Sequence, residues 1–241
     1  MSLIKTRDGD VLTLSLNRPE AGNRIDPALL AALTAEYEGA RPLEGGPAVI
    51  VLTAEGPDFS LGRQRPERQS ADPLDVVAEF SAIQRLNEAV QHCRAVTIAA
   101  VQGRCEGAGL SLAGRADIAL MAEDARVGFP EIPHGIPPTI VLSHYRYVLP
   151  RNLLGDLIFT GRELTGAEAV GAGLAARAVP AADLLATAQA MAAEVAGHDR
   201  RSIALVKEFL KRTEGLPAPL APALGISLYA NEISHRILSK G

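Results

Sequence analysis

Residues 97–120 read TIAAVQGRCEGAGLSLAGRADIAL and are the most informative segment of the chain for its fold. The first five of these residues belong to an apolar run over residues 96–101 (VTIAAV), which is typical of a strand covered on both faces. A glycine-rich turn over residues 103–109 follows and opens a helix that we expect to end near Arg115. Residues 117–121 (DIALM) then predict a further strand. Strands that alternate with helices in this way predict an α/β fold.

The same arrangement recurs towards the amino terminus. Residues 48–53 (AVIVLT) form a second continuous apolar run and predict a buried strand. Residues 11–16 (VLTLSL) alternate between apolar and polar side chains, as a half-buried strand does. Asp26 followed by Pro27 is typical of a helix start, and it precedes a helical pattern over residues 28–37.

Helical patterns dominate the rest of the chain. Residues 128–138 are irregular and rich in proline and glycine. The helical patterns cover residues 75–93, 167–171, 181–196, 201–212 and 224–238. We therefore predict a core domain over residues 1–195 and a helical oligomerisation region over residues 196–241.

Composition and charge restrict the class of function. The chain has 241 residues and a formal net charge of −4, so it lacks the basic footprint of a nucleic-acid-binding protein. Its two cysteines, Cys93 and Cys105, are too few for a disulfide framework and fit a reducing compartment. The first residues carry no apolar core of a signal peptide, and no apolar run reaches the roughly 18 residues that span a bilayer. We expect a cytoplasmic protein without nucleic-acid or membrane partners.

The glycine-rich turn is a candidate binding site. Glycines at 103, 107 and 109 allow backbone N–H groups to point into an open cleft. The start of the following helix adds a partial positive charge, which favours an anion or a developing oxyanion. An ordinary tight turn between a strand and a helix explains the same residues. A dinucleotide-binding fingerprint does not fit, because it requires glycine where this chain has Leu112.

A second turn favours the oxyanion interpretation. The segment Phe59-Ser60-Leu61-Gly62-Arg63 also follows a predicted buried strand. Two such turns on neighbouring parallel strands can aim two N–H groups at one point. An enolate or a tetrahedral oxyanion requires this geometry.

Five segments, in order and in spacing, resemble the enoyl-CoA hydratase/isomerase (crotonase) family. Each segment alone is moderately specific, but five in register are highly specific, and together they extend over residues 3–212. The segments are Asn17-Arg18-Pro19-Glu20 with Asn23, residues 49–62 (VIVLTAEGPDFSLG), residues 97–120, Phe129-Pro130-Glu131 and residues 159–174 (FTGRELTGAEAVGAGL).

The resemblance implies a spiral of ββα units, a helical carboxyl-terminal region that forms a trimer or a dimer of trimers, and an acyl-CoA thioester substrate. It implies neither a metal nor a redox cofactor. By position, the two oxyanion donors would be the N–H groups of Arg63 and Ala108. The residues expected to contact the substrate or its CoA moiety are Arg63, Gln64, Arg65, Pro66, Gly107, Ala108, His134 and Tyr229.

The catalytic carboxylates depart from the family pattern. Hydratases of the family usually carry two glutamates, and the later one matches Glu131, whose apolar neighbours can raise its pKa towards that of a general base. A glutamate that only solvates a loop is the alternative. At the earlier position the chain has Ser111, which cannot replace a carboxylate as an acid/base and is otherwise a small residue tolerated on a helix. Ser111 and Tyr229 are also similar to the hydroxycinnamoyl-CoA hydratase-lyase branch, although an ordinary core tyrosine explains Tyr229 as well.

Several reactions therefore remain open. A single carboxylate can take a proton at one carbon and return it at another, whereas hydration is easier with two, so we expect an enoyl-CoA isomerase. An enoyl-CoA hydratase or a hydratase-lyase is the alternative within the family. Residues 109–113 also come near the nucleophile-elbow pattern of serine hydrolases, with Ser111 as nucleophile and His134 or His144 downstream. A family member that binds CoA esters without turnover is the last alternative.

Overall fold

The computed structural model describes residues 1–68 and 70–238, and all elements below lie within them. The strands are β1 Leu3–Asp8, β2 Val11–Leu16, β3 Val49–Ala54, β4 Val96–Val101, β5 Arg104–Glu106, β6 Ile118–Ala122, β7 Arg126–Gly128, β8 Leu164–Thr165 and β9 Arg177–Val179. The α-helices are α1 Pro27–Gly39, α2 Pro73–Gln91, α3 Gly107–Arg115, α4 Thr139–Tyr145, α5 Arg151–Thr160, α6 Gly166–Gly171, α7 Leu184–Ala196, α8 Arg200–Thr213 and α9 Ala221–Leu238.

The main sheet has the strand order β1-β2-β3-β4-β6-β9. The hairpin strands β1 and β2 pair antiparallel, and every other neighbouring pair is parallel. Every residue of β3 is buried, and so is every residue of β4 after Val96. This burial explains why both strands are continuously apolar in sequence. Because β3 and β4 are parallel neighbours, the turns that follow them begin at the same edge of the sheet.

A second, smaller sheet extends from this edge. It has the order β5-β7-β8, with β5 and β7 parallel and β7 and β8 antiparallel. The strand β5 follows β4 almost directly, and α3 begins immediately after β5. Strands β4 and β5 with helix α3 therefore form one ββα unit, and β6, β7 and α4 form the next along the chain. The predicted α/β architecture is confirmed.

The predicted elements agree with the structure in type, with shifts at their ends. The N-cap prediction is confirmed, since a carboxylate oxygen of Asp26 accepts a hydrogen bond from the Leu29 N–H at 2.7 Å. The helix α3 begins at Gly107, inside the predicted turn, because the preceding residues 104–106 pair as a strand. The sequence patterns above did not predict β1, β5, β7, β8, β9, α4 or α5.

The carboxyl-terminal region is helical, as predicted. Lys207 of α8 donates to both carboxylate oxygens of Asp117, at 2.7 and 2.6 Å, and Arg200 forms an ion pair with Asp10. The helix α9 packs against α8, and neither helix has a buried residue. Residues 239–241 of the predicted oligomerisation region lie outside the described residues. No helix in the described part of the chain has the length and apolar character that a bilayer span requires.

Candidate active site

The two glycine turns lie side by side, as the sequence predicts. A parallel bridge joins Ser60 to Cys105. The Ser60 N–H donates to the Arg104 carbonyl at 3.2 Å, and the Glu106 N–H donates to the Ser60 carbonyl at 2.9 Å. The start of α3 also packs closely on the first turn, since a β-carbon on Gly109 would lie 2.7 Å from the β-carbon of Ser60. The two turns therefore form one continuous surface.

The N–H groups of Arg63 and Ala108 belong to these two adjacent turns. The Ile25 N–H donates to the Gly62 carbonyl, and the Gln64 N–H donates to the Ile25 carbonyl, each at 2.9 Å. Because these bonds use the groups on either side of Arg63, the Arg63 N–H itself does not pair with Ile25. The Ala108 N–H lies in the first turn of α3, where helical residues have no intrahelical acceptor. Neither N–H donates to an acceptor among residues 1–68 and 70–238.

Asn23 holds the first turn in place from inside the protein. Its side chain is fully buried, and its Nδ2 donates to the carbonyls of Glu55 and Asp58, both at 2.8 Å. Its own carbonyl accepts a hydrogen bond from the Ser60 hydroxyl at 2.9 Å. Its φ of 49° is in the left-handed region, which asparagine tolerates better than most residues. The Asn23 of the first family segment is therefore a support for the Arg63 turn.

Glu131 lies against the second turn. A β-carbon on Gly107 would lie 2.9 Å from Oε1 of Glu131, so the glycine allows the carboxylate to approach the backbone beside Ala108. Oε2 is buried and has no hydrogen-bond partner among the described residues. Burial raises the pKa of Glu131 above its ordinary value, and the negative charge of Glu106 raises it further. The positive charges of Arg65 and His134 act in the opposite direction.

Glu106 is a second carboxylate that the sequence analysis did not single out. It is only 8% exposed, and its Oε1 forms an ion pair with Nη2 of Arg104 at 2.5 Å. Arg104 also binds Glu163 at 3.2 Å. In the sequence Glu106 is one charged residue in a turn. Only the structure shows that it lies near enough to Glu131 to affect the pKa of that residue.

Ser111 and the two candidate histidines are not hydrogen bonded to one another among the described residues. Ser111 is 1% exposed on α3. Nδ1 of His134 is hydrogen bonded to the Pro130 carbonyl at 2.6 Å, and Nε2 of His144 to the Gly114 carbonyl at 3.3 Å. Within the described part of the chain, neither histidine is hydrogen bonded to Ser111. His134 nevertheless lies close enough to Glu131 to influence its pKa.

The side chains of the loop predicted to contact CoA have two kinds of surroundings. Gln64, Arg65 and Pro66 are exposed, as a surface that binds a ligand requires. The guanidinium of Arg63 is instead directed at α2, where it forms an ion pair with Glu79. It also lies over the ring of Phe80, 5.0 Å from the ring centre. The side chain of Arg63 therefore contacts α2, and the prediction that Arg63 contributes to the site concerns its backbone N–H.

Tyr229 lies outside this cluster within the single chain. It is 64% exposed on α9, which packs against α8. The interpretation of Tyr229 as an ordinary core residue is wrong, because a core tyrosine would be buried. A contact between Tyr229 and substrate stays a prediction that depends on the assembly of subunits.

Tyr145 joins the helix α3 to the segment just before Glu131. Its ring is fully buried, and its hydroxyl donates to the Leu110 carbonyl of α3 at 2.7 Å. Its ring also packs edge to face on Phe129, with 5.0 Å between ring centres. Gly114 leaves room for the hydroxyl, since a β-carbon there would overlap it.

Comparison with known proteins identifies the family of this chain. The sequence model of the family described as enoyl-CoA hydratase/isomerase matches residues 6–240. The chain belongs to the enoyl-CoA hydratase/isomerase family. Its fold is that of solved crotonases, with a TM-score of 0.90 to an enoyl-CoA hydratase of Mycobacterium smegmatis that is 26% identical. That match covers 97% of this chain and 91% of the other.

Curated members of the enoyl-CoA hydratase/isomerase family are similar over most of their length. The chain is 32% identical to a Mycobacterium bovis protein named "Probable enoyl-CoA hydratase echA8", over 88% of this chain and 81% of that protein. It is 29% identical to the 2,3-dehydroadipyl-CoA hydratase of Escherichia coli K12, over 88% of this chain and 82% of that protein. Membership makes this chain an acyl-CoA enzyme of the family.

Proposed function

We propose that this protein catalyses proton transfer on an acyl-CoA thioester, with Glu131 as the acid/base and the N–H groups of Arg63 and Ala108 as the oxyanion donors. The close approach of Glu131 to Gly107 is the observation that carries the proposal. It brings a half-buried carboxylate, whose Oε2 is buried, next to the Ala108 N–H, which has no acceptor among the described residues.

The proposed reaction begins with loss of a proton from the carbon next to the thioester carbonyl. Glu131 accepts this proton, and the electron pair moves onto the thioester oxygen to form an enolate. The two N–H groups stabilise the oxygen, and the start of α3 adds a partial positive charge. The raised pKa of Glu131 suits this role, because it brings the carboxylate closer to the acidity of a useful general base.

The favoured reaction is a shift of the double bond. A 3-enoyl-CoA loses its α proton to Glu131 and gives a dienolate. The dienolate takes the same proton back at the γ carbon, which gives the 2-enoyl-CoA and restores the ionised Glu131. One carboxylate performs both transfers, and no water is consumed.

Hydration of a 2-enoyl-CoA is the second candidate. The buried carboxylate of Glu106 beside Glu131 favours it, because addition of water is easier when one carboxylate orients the water and another supplies the proton. The names of the two curated relatives agree with this candidate. A hydratase-lyase adds a carbon–carbon cleavage to the same first step.

A single experiment separates these candidates. The protein is incubated in deuterated water with 2-enoyl-CoA or, separately, with 3-enoyl-CoA of equal chain length, and the products are separated by chromatography against standards of each isomer and identified by mass spectrometry. We expect conversion of the 3-enoyl to the 2-enoyl thioester. The rate of this conversion should fall by about 10²–10⁴-fold in Glu131→Gln, which is the usual contribution of a general acid/base. Binding of a saturated acyl-CoA should persist in that variant.

The control is Glu123→Gln, which removes one exposed carboxylate after β6 and should leave turnover intact. A 3-hydroxyacyl product alone identifies a hydratase, and release of free CoA thiol identifies a hydrolase. Full activity of Glu131→Gln would refute the assigned acid/base. Binding without any product would identify a CoA-ester-binding protein.

A further inference from the structure

A small cavity lies between α2 and α3, beside the two proposed oxyanion donors. Its volume is about 10 Å³, which is the space of roughly one water molecule. The apolar part of its wall is formed by residues that include Ile25, Ile83, Leu86 and Leu112, and the cavity borders Arg63 and Ala108. An acyl group whose carbonyl oxygen lies at the two N–H groups would have this cavity close to its carbon chain.

Asn87 of α2 places a polar group in this apolar wall. The residue is 1% exposed, and its Nδ2 is buried without a hydrogen-bond partner. No described residue accepts a hydrogen bond from this Nδ2. Buried polar side chains in proteins nearly always have a partner, and leaving one unpaired costs about 1–3 kcal/mol. The position of Asn87 therefore calls for a partner that the protein itself does not supply.

The neighbouring charged groups do not supply that partner. The guanidinium of Arg63 is held by Glu79 and by the face of Phe80. Nδ2 is a hydrogen-bond donor, so a small neutral group with a hydroxyl or carbonyl oxygen would satisfy it. A hydroxyl occupies about the volume of the cavity.

We propose that Asn87 determines acyl specificity by hydrogen bonding to a hydroxyl or carbonyl oxygen on the acyl group of the substrate. The inference rests on the proposed function, because the cavity faces an acyl chain only when the thioester lies at Arg63 and Ala108. The apolar wall contacts the carbon chain, and Asn87 selects chains that carry oxygen at the depth of the cavity.

The test uses saturated acyl-CoA thioesters, which bind but cannot react. Matched pairs of equal length carry either a hydroxyl or a methyl group at the far end, over a series of short chains. Dissociation constants are measured by calorimetry for the unmodified protein. At the chain length that reaches the cavity, we expect the hydroxyl member to bind about tenfold more tightly, as one additional satisfied hydrogen bond predicts.

Two variants assign this preference to the carboxamide. Asn87→Leu has a side chain of similar size without polar atoms, and it should abolish or reverse the preference. Ile83→Val enlarges the same cavity and keeps the carboxamide, so it should change the affinities of both members by a similar factor. If Asn87→Leu does not fold, Asn87→Ala replaces it.

The outcomes distinguish this inference from the proposed function. If CoA thioesters bind but no chain length shows a hydroxyl preference, Asn87 is satisfied by a buried water and the inference is wrong, while the proposed function stands. Persistence of the preference in Asn87→Leu would also overturn it. If no CoA thioester binds, both proposals fail together.

Discussion

Glu106 and Glu131 are two carboxylates held near each other in a site that is partly shielded from water. Burial is the main cause of the raised pKa of Glu131, and the negative charge of Glu106 raises that pKa further. Arg104 forms ion pairs with both Glu106 and Glu163. Glu106 therefore contributes to the proton affinity of Glu131 without any need to touch substrate.

Replacing Glu106 by glutamine should lower the pKa of Glu131. The negative charge of Glu106 raises that pKa, so its removal shifts the pKa down, although burial keeps it above the ordinary value. A general base works in its ionised form, so activity rises as pH increases through this pKa. The acidic limb of kcat/KM, which reports the base of the free enzyme, should move to lower pH in Glu106→Gln.

The matched control for this pH profile is Glu123→Gln, which removes an exposed carboxylate. It should leave the acidic limb of kcat/KM at the same pH. A limb that stays fixed in Glu106→Gln, or that moves to higher pH, would contradict the electrostatic role of Glu106.

The sequence predicts some residues of the candidate site and not others. Glu131, Arg63 and Ala108 follow from family segments in register with two glycine turns. Glu106 and Asn87 cannot be found in this way, because a charged residue in a turn and an asparagine in a helix are ordinary in sequence. Their interest comes from burial and from neighbours brought there by distant segments.

At the scale of elements, the turn that carries Ala108 is the part of the site most directly open to test. The variant Ala108→Pro removes the N–H, and proline is tolerated in the first turn of a helix. Loss of one oxyanion donor lowers kcat by about 10²–10³-fold in enzymes of this kind of chemistry, and we expect a loss in that range. The measurement is steady-state turnover of the substrate identified above.

Ala108→Gly is the control, because it keeps the N–H and removes only a methyl group. It should retain most of the activity, with a stability loss of up to about 1 kcal/mol from the helical glycine. Equal turnover in a folded Ala108→Pro variant would remove Ala108 from the proposed mechanism.

Elements with a full periodic pattern were predictable, and short elements were not. The strands β5, β7 and β8 have only two or three residues, too few for an alternating or apolar pattern to be visible. The strands β5 and β7 pair because β4 and β6, which precede them in the chain, are neighbours in the main sheet, and β8 is added by pairing with β7. The edge strand β1 has one buried residue in six, so its sequence is mostly polar. Tertiary pairing, and not local preference, creates these elements.

The whole molecule presents an apolar surface on its carboxyl-terminal helices. Exposed large apolar side chains of α8 and α9 are Val206, Leu210, Ile226, Tyr229, Ile233, Ile237 and Leu238. An apolar surface of this kind is typical of a protein–protein contact. This surface lies within the region predicted to form contacts between subunits.

We therefore predict a trimer or a hexamer in solution, measured by light scattering at micromolar concentration. Ile226→Glu introduces a charge on the exposed face of α9 and should shift the protein towards smaller species. The control Gln189→Glu introduces the same side chain on the exposed part of α7 and should leave the mass unchanged. A stable monomer of the unmodified protein would refute the prediction.

Tyr145 connects two segments of the candidate site through the core. One buried ring is hydrogen bonded to the helix that carries Ala108 and packs on Phe129, two residues before Glu131. Together with the direct pairing of β5 and β7, this ring therefore couples the position of the proposed acid/base to that of the proposed oxyanion donor. A change at Tyr145 would disturb both segments at once, although the residue itself contacts neither proposed group.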